Sequence, residues 1–66
     1  MTIVVNGDTT EIDARQTLDV VVATIVSDKR GVAAAVNGEV VPRTQWDVTR
    51  LSPGDRIEVL SAIGGG

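Results

Sequence analysis

Gly64-Gly65-Gly66 close the sequence. With Gly66 as the last residue, its carboxylate is the one group here that no side chain obstructs. Glycine loses more backbone entropy on ordering than any other residue, so a terminal run does not stabilise a fold. What it offers is a thin thread carrying a carboxylate. A free carboxylate is a poor electrophile, because its charge repels nucleophiles and oxide leaves badly. Conversion by ATP to an acyl phosphate derivative repairs both faults, and a sulfur or amine nucleophile can then attack. Glycine suits such chemistry, having no Cβ to block the approach or a narrow channel. A frayed end, a linker stub or a cloning scar has the same composition, so the rest of the chain must decide.

The side chains supply no competing chemistry. Cysteine and histidine are both absent. That removes disulfides, zinc sites of the Cys/His type, thiol nucleophiles and the usual general base. The carboxylates are dispersed along the chain, from Asp8 and Glu11 to Asp55 and Glu58, without calcium-loop spacing or the close pairing of an acid/base site. Arg15, Arg43, Arg50 and Arg56 form no stripe. These charged residues read as solvated surface. Asn6-Gly7 and Asn37-Gly38 are turns rather than phosphate cradles, since neither opens a helix with further glycines. A net charge of −3 argues against nucleic acid as a partner. Val20 to Val26 is the longest apolar run; Thr24 interrupts it and it is too short to span a bilayer. Met1-Thr2-Ile3 lacks a basic segment, so no signal peptide is expected. A small domain without cysteine fits a reducing compartment, and the cytoplasm is the expected location. No bound cofactor and no metal are expected.

The 66 residues make one small domain. A chain this short buries only about 60% of its unfolded surface. That leaves no volume for a deep pocket, which needs about 300 Å³ or more. Ile3-Val4-Val5, Asn6-Gly7-Asp8 and Thr9-Thr10-Glu11-Ile12 predict a hairpin, with Asn-Gly forming a type I′ turn. Ile3, Val5, Thr10 and Ile12 should face inward and Glu11 outward. Thr17 is the expected N-cap of a helix, with Asp19 in its first turn. Leu18, Val21, Val22, Ile25 and Val26 form the apolar stripe, Lys29 and Arg30 fall in the last turn, and Gly31 lies just past it.

Val32 to Val36 is a continuous apolar run, as expected of a strand covered on both faces. Asn37-Gly38 makes a second tight turn, and Glu39-Val40-Val41 runs into Pro42, which confines that strand to an edge or ends it. Trp46, the lone aromatic, reads as a buried anchor. Ser52-Pro53-Gly54-Asp55 has the order of a type II turn. Arg56 to Ile63 is the last strand. The order ββαβββ predicts an α+β domain over residues 1–63, one helix packed on a mixed sheet, followed by a glycine tail over 64–66.

Val36-Asn37-Gly38-Glu39-Val40-Val41-Pro42-Arg43, Trp46, Leu51, Gly54-Asp55-Arg56-Ile57-Glu58-Val59 and the closing Gly65-Gly66 carry a resemblance across nearly the whole chain. It resembles the ThiS sulfur carriers of thiamin biosynthesis, within the MoaD/ThiS, ubiquitin-like family. The terminal Gly-Gly alone is shared with MoaD and ubiquitin; the Val-Asn-Gly-x-Val-Val-Pro-Arg segment followed by Trp is the more specific part. Gly64 occupies a position that varies in that family. The resemblance implies a β-grasp fold with about five strands, and a carrier rather than a catalyst. A ThiF-type enzyme would use ATP to adenylate Gly66, with Gly64 and Gly65 entering the partner's active site. A cysteine desulfurase or other persulfide donor would supply sulfur to give a thiocarboxylate. A ThiG-type thiazole synthase would accept it. The same chemistry could serve molybdopterin or cysteine synthesis, and an inert tail would leave a ubiquitin-like interaction module.

Alternation along the last strand adds a surface. With Ile57, Val59 and Ile63 inward, Glu58, Leu60 and Ala62 point to the other face and form the expected docking site for the partner.

Overall fold

The computed structural model describes residues 1–61. Ala62, Ile63 and the tail over 64–66 lie outside the described residues, as does the expected boundary at 63. Strand β1 (Thr2–Val5) turns into β2 (Asp8–Glu11), and helix α1 (Leu18–Ile25) follows. Strands β3 (Val32–Val36) and β4 (Glu39–Val41), a 3₁₀ helix (Arg43–Val48) and β5 (Arg56–Ser61) complete the order. The strands form one sheet in the order β2-β1-β5-β3-β4. β1 and β5 are parallel, and the other pairs are antiparallel. The last strand in the chain therefore lies at the centre of the sheet, and β4 lies at an edge, as Pro42 requires.

Both hairpins turn on Asn-Gly. Asn6 and Asn37 have φ of 49° and 52°, and the glycine after each has φ of 86°, the positive pair that a type I′ turn demands. Gly54 sits at φ 84°, and the Asp55 N–H donates to the Ser52 carbonyl at 3.1 Å, closing the type II turn that leads into β5. Inside the first hairpin Ile3 and Val5 are buried, Thr10 and Ile12 are half-buried and Glu11 is exposed, as the alternation predicts.

Helix α1 buries Leu18, Val21 and Val22 against the sheet. It is shorter than its stripe suggests. The backbone is already extended at Val26 (φ −126°, ψ 142°), so Lys29 and Arg30 are not in its last turn. Val20, Val21, Val22, Ile25 and Val26 are β-branched and lose side-chain freedom in a helix. The Thr24 hydroxyl donates to the Val21 carbonyl at 2.7 Å, a local bond that competes with the helical ladder. Beyond Val26, Asp28 accepts the Arg30 N–H and pairs with its guanidinium, folding a turn before Gly31 (φ 69°) and β3. Thr17 takes the N-cap position, but its hydroxyl bonds to the Asp19 carboxylate and not to a helix amide.

Trp46 is 2% exposed, and its indole N–H donates to the Val41 carbonyl at 2.8 Å. The 3₁₀ helix thus folds back from the edge strand to seal the core beside α1. The chain after it is tied to the helix start by Leu18 N–H to the Thr49 carbonyl (2.9 Å) and Leu51 N–H to the Gln16 carbonyl (3.1 Å). Ile3, Leu18, Val22, Trp46 and Ile57 are the largest fully buried side chains. They lie on the helix side of the sheet. β3 departs from expectation here: Ala34 is buried, but Ala33 is exposed and Ala35 half-buried. One short helix covers one face of five strands, and the small side chains of β3 leave the other face open.

Candidate functional site

Gly64, Gly65 and Gly66, the expected thread, lie outside the described residues, and so does Ala62. Their base is described. β5 runs between β1 and β3, paired with β3 from Ile57 through Ser61 and with β1 at Arg56 and Ile57. A strand paired on both sides is firmly held there, and β5 is the described element nearest the terminal residues in sequence.

Along β5, Ile57 and Val59 are buried and Glu58 and Leu60 are exposed, as the alternation predicts. Leu60 is 72% exposed. Cross-strand register places Ala33 opposite Leu60, and Ala35 opposite both Glu58 and Val40. Directly opposed residues share a face. Val40 is 75% exposed, so these side chains form an apolar trough of about 240 Å³ on the open face. A second open groove of about 450 Å³, lined by Val4, Asn6, Arg56 and Glu58, continues it toward the first hairpin. Both grooves are surface troughs, not an enclosed cavity.

Glu58 and Leu60 are thus brought together with Ala33, Ala35 and Val40, which the sequence reading missed as part of this surface. The missed signal is simple: one predicted helix cannot cover both faces of a five-strand sheet, so the apolar run in β3 had to expose half its residues.

A second arrangement was also missed. Both turn asparagines reach from their hairpins onto β5. The Asn37 N–H donates to the Arg56 carbonyl at 2.8 Å and its Oδ1 accepts the Arg56 N–H at 2.9 Å. Its Nδ2 donates to Asp55 Oδ1 at 3.0 Å. The Asn6 N–H donates to the Ile57 carbonyl at 2.9 Å, its Oδ1 accepts the Val59 N–H at 2.9 Å, and its Nδ2 donates to the Val59 carbonyl at 3.3 Å. Asparagine tolerates left-handed φ, but so does glycine; its appearance at both turns was the available clue.

Among the described residues no three carboxylates gather into a metal-binding group. The exposed Asp28–Arg30 pair perturbs its own ionisation: the guanidinium hydrogen bond lowers the Asp28 carboxyl and raises Arg30. No described helix is long and apolar enough to cross a membrane.

The ThiS family model matches residues 3–66. The sulfur carrier protein ThiS of Escherichia coli is 32% identical over 66 residues, the full length of both chains. A thiazole synthase of Paramagnetospirillum magneticum is also 32% identical over 66 residues, but this chain spans only 20% of its length. A crystal structure of the thiamine biosynthesis protein ThiS from Geobacter metallireducens superposes with a TM-score of 0.80 at 32% identity, covering both chains in full. A solution structure of a thiamine biosynthesis protein from the same organism gives 0.73 at 32% identity, covering all of this chain and 88% of that one. The mixed five-strand sheet on one helix is therefore the β-grasp fold, and the chain belongs to the ThiS family of sulfur carriers.

Proposed function

We propose that this sulfur carrier of thiamin biosynthesis bears its sulfur as a thiocarboxylate on Gly66 and is acted on by partners, with no catalysis of its own. The observation that supports this most directly is the mount. The described part of the central strand β5 reaches Ser61, five residues before Gly66, beside an exposed apolar trough.

The carboxylate of Gly66 attacks the α-phosphorus of ATP on a ThiF-type activating enzyme, and pyrophosphate leaves. A persulfide from a cysteine desulfurase or other donor attacks the acyl adenylate and displaces AMP. A second thiol then attacks the donor-side sulfur, forming a disulfide with the donor and releasing the thiocarboxylate. ATP is bound by the partner. Gly64 and Gly65 let the carboxyl group through a narrow channel because neither has a Cβ. Glu58, Leu60 and Ala62 dock the partner, joined by Ala33, Ala35 and Val40. Alignment of the whole chain with a fifth of a thiazole synthase supports a ThiG-type synthase as the acceptor. The cytoplasm suits this cycle, since a reducing milieu protects a sulfur nucleophile from oxidation.

The test is incubation with a ThiF-type enzyme, ATP and a sulfur source, followed by intact mass measurement. One sulfur replaces one oxygen at the terminus if the reading holds; an unchanged mass refutes it. The chain has no cysteine, so on this chain thiol alkylation labels only the thiocarboxylate, which its mass separates from the labelled partners. Gly65→Val is expected to abolish conversion while the urea midpoint stays put. Normal conversion of that variant would remove the narrow-channel argument.

A further inference from the structure

β5 leads to Gly66, and its two flanks are unequally supported. On one side, β3 pairs with it from Val32 opposite Ser61 to Val36 opposite Ile57. On the other, β1 pairs only at Val4 opposite Arg56 and Val5 opposite Ile57, then turns away at Asn6-Gly7. Past that point the ladder is continued by Asn6. Its backbone N–H reaches the Ile57 carbonyl, and its carboxamide binds both the N–H and the carbonyl of Val59. A carboxamide presents a donor and an acceptor on one short plane, as a peptide group does. The left-handed backbone of the turn aims it along β5.

We propose that Asn6 is a positioning residue for sulfur transfer: its side chain stands in for a strand residue that β1 lacks and fixes the course of β5 at Val59, and so the direction in which the terminal residues enter a partner. This rests on the carrier function proposed above. Reacting atoms must come within about 3–3.5 Å in a defined orientation, so a displaced mount slows the step at the carboxyl group. Asn6 lines the adjoining groove and not the trough of Ala33, Ala35, Val40 and Leu60 where the partner is proposed to dock, so affinity is expected to hold.

Asn37 supplies the internal control. It occupies the same turn with nearly the same φ, but it holds the beginning of β5 at Arg56. Asn6→Gly and Asn37→Gly both keep the left-handed turn and delete only the carboxamide. In Asn6→Gly, exchange of the Val59 amide should accelerate about ten-fold or more. The kcat for thiocarboxylate formation should fall about ten-fold, with KM for the carrier unchanged within about two-fold. Asn37→Gly should keep kcat. A normal kcat in Asn6→Gly, or an equal loss in Asn37→Gly, overturns the proposal. Should Asn6→Gly fail to fold, Asn6→Asp keeps the acceptor for the Val59 N–H and loses the donor. The Val59 amide should then stay protected while loss of the donor to the Val59 carbonyl lowers kcat, and an unchanged kcat overturns the role. Failure of the unaltered chain to be converted overturns the carrier function and this role together, a result distinct from a selective loss at Asn6.

Discussion

Along β5 the two faces of the sheet alternate residue by residue. Ile57 and Val59 are 1% and 7% exposed on the helix side, while Glu58 and Leu60 look outward. A sheet with one wet face ordinarily carries polar residues there. In this chain the outer face keeps Ala33, Ala35, Val40 and Leu60. The covered face therefore holds the fold together, and the uncovered face is the one proposed to dock a partner. Side chains adjacent in sequence lie on opposite faces.

The sharpest way to break that contrast is Ile57→Ala. A fully buried isoleucine lost to alanine costs about 2–5 kcal/mol. A domain of this size has only on the order of 3–10 kcal/mol in hand. Urea denaturation should show most of the stability gone, and a small shift would mean that the helix side is not the source of cohesion. Leu60→Glu comes next. It should leave the urea midpoint within about 0.5 kcal/mol of the unaltered chain. Steady-state kinetics with the activating enzyme should show KM raised about ten-fold or more. An unaltered KM would take Leu60 out of the docking surface.

The smallest effect is expected at Asp28→Asn, on neither face. The Arg30 guanidinium holds the Asp28 carboxyl below the ordinary carboxylate value. A depressed folded value means the contribution is present above the unfolded value and is lost as pH falls through the folded one. The pair is solvent-exposed, and exposed pairs are weak. The acid limb of a plot of urea midpoint against pH should therefore barely move, and a clear shift would expose a stabilising centre outside both faces.

Local chemistry was legible wherever one or two residues decide the backbone. Asn6-Gly7, Asn37-Gly38 and Pro53-Gly54 announced their turns, and Ile57 and Val59 announced the inner face. Trp46 was legible as an anchor because burial is the main use of a large ring in a small core. The end of α1 was not, because the apolar spacing continues through Val26 while β-branching and the Thr24 hydroxyl work against helix. The 3₁₀ helix at Arg43–Val48 has too short a period to stand out. The exposure of Leu60 and Glu58 was readable from alternation alone. Ala33, Ala35 and Val40 joined them only through cross-strand register, which depends on how distant segments pair. The grip of Asn6 on Val59 spans most of the chain and could not be read locally.

Trp46 has a further consequence. It is the sole aromatic residue, enclosed on the helix side and bonded to the Val41 carbonyl. The isolated carrier therefore has a single intrinsic fluorophore, placed where only opening of the interior alters its surroundings. Its emission is a gauge of intactness that surface substitutions on the opposite face leave untouched. Loss of sulfur loading with unchanged emission then reports a failed encounter, and a red-shifted spectrum reports a lost protein.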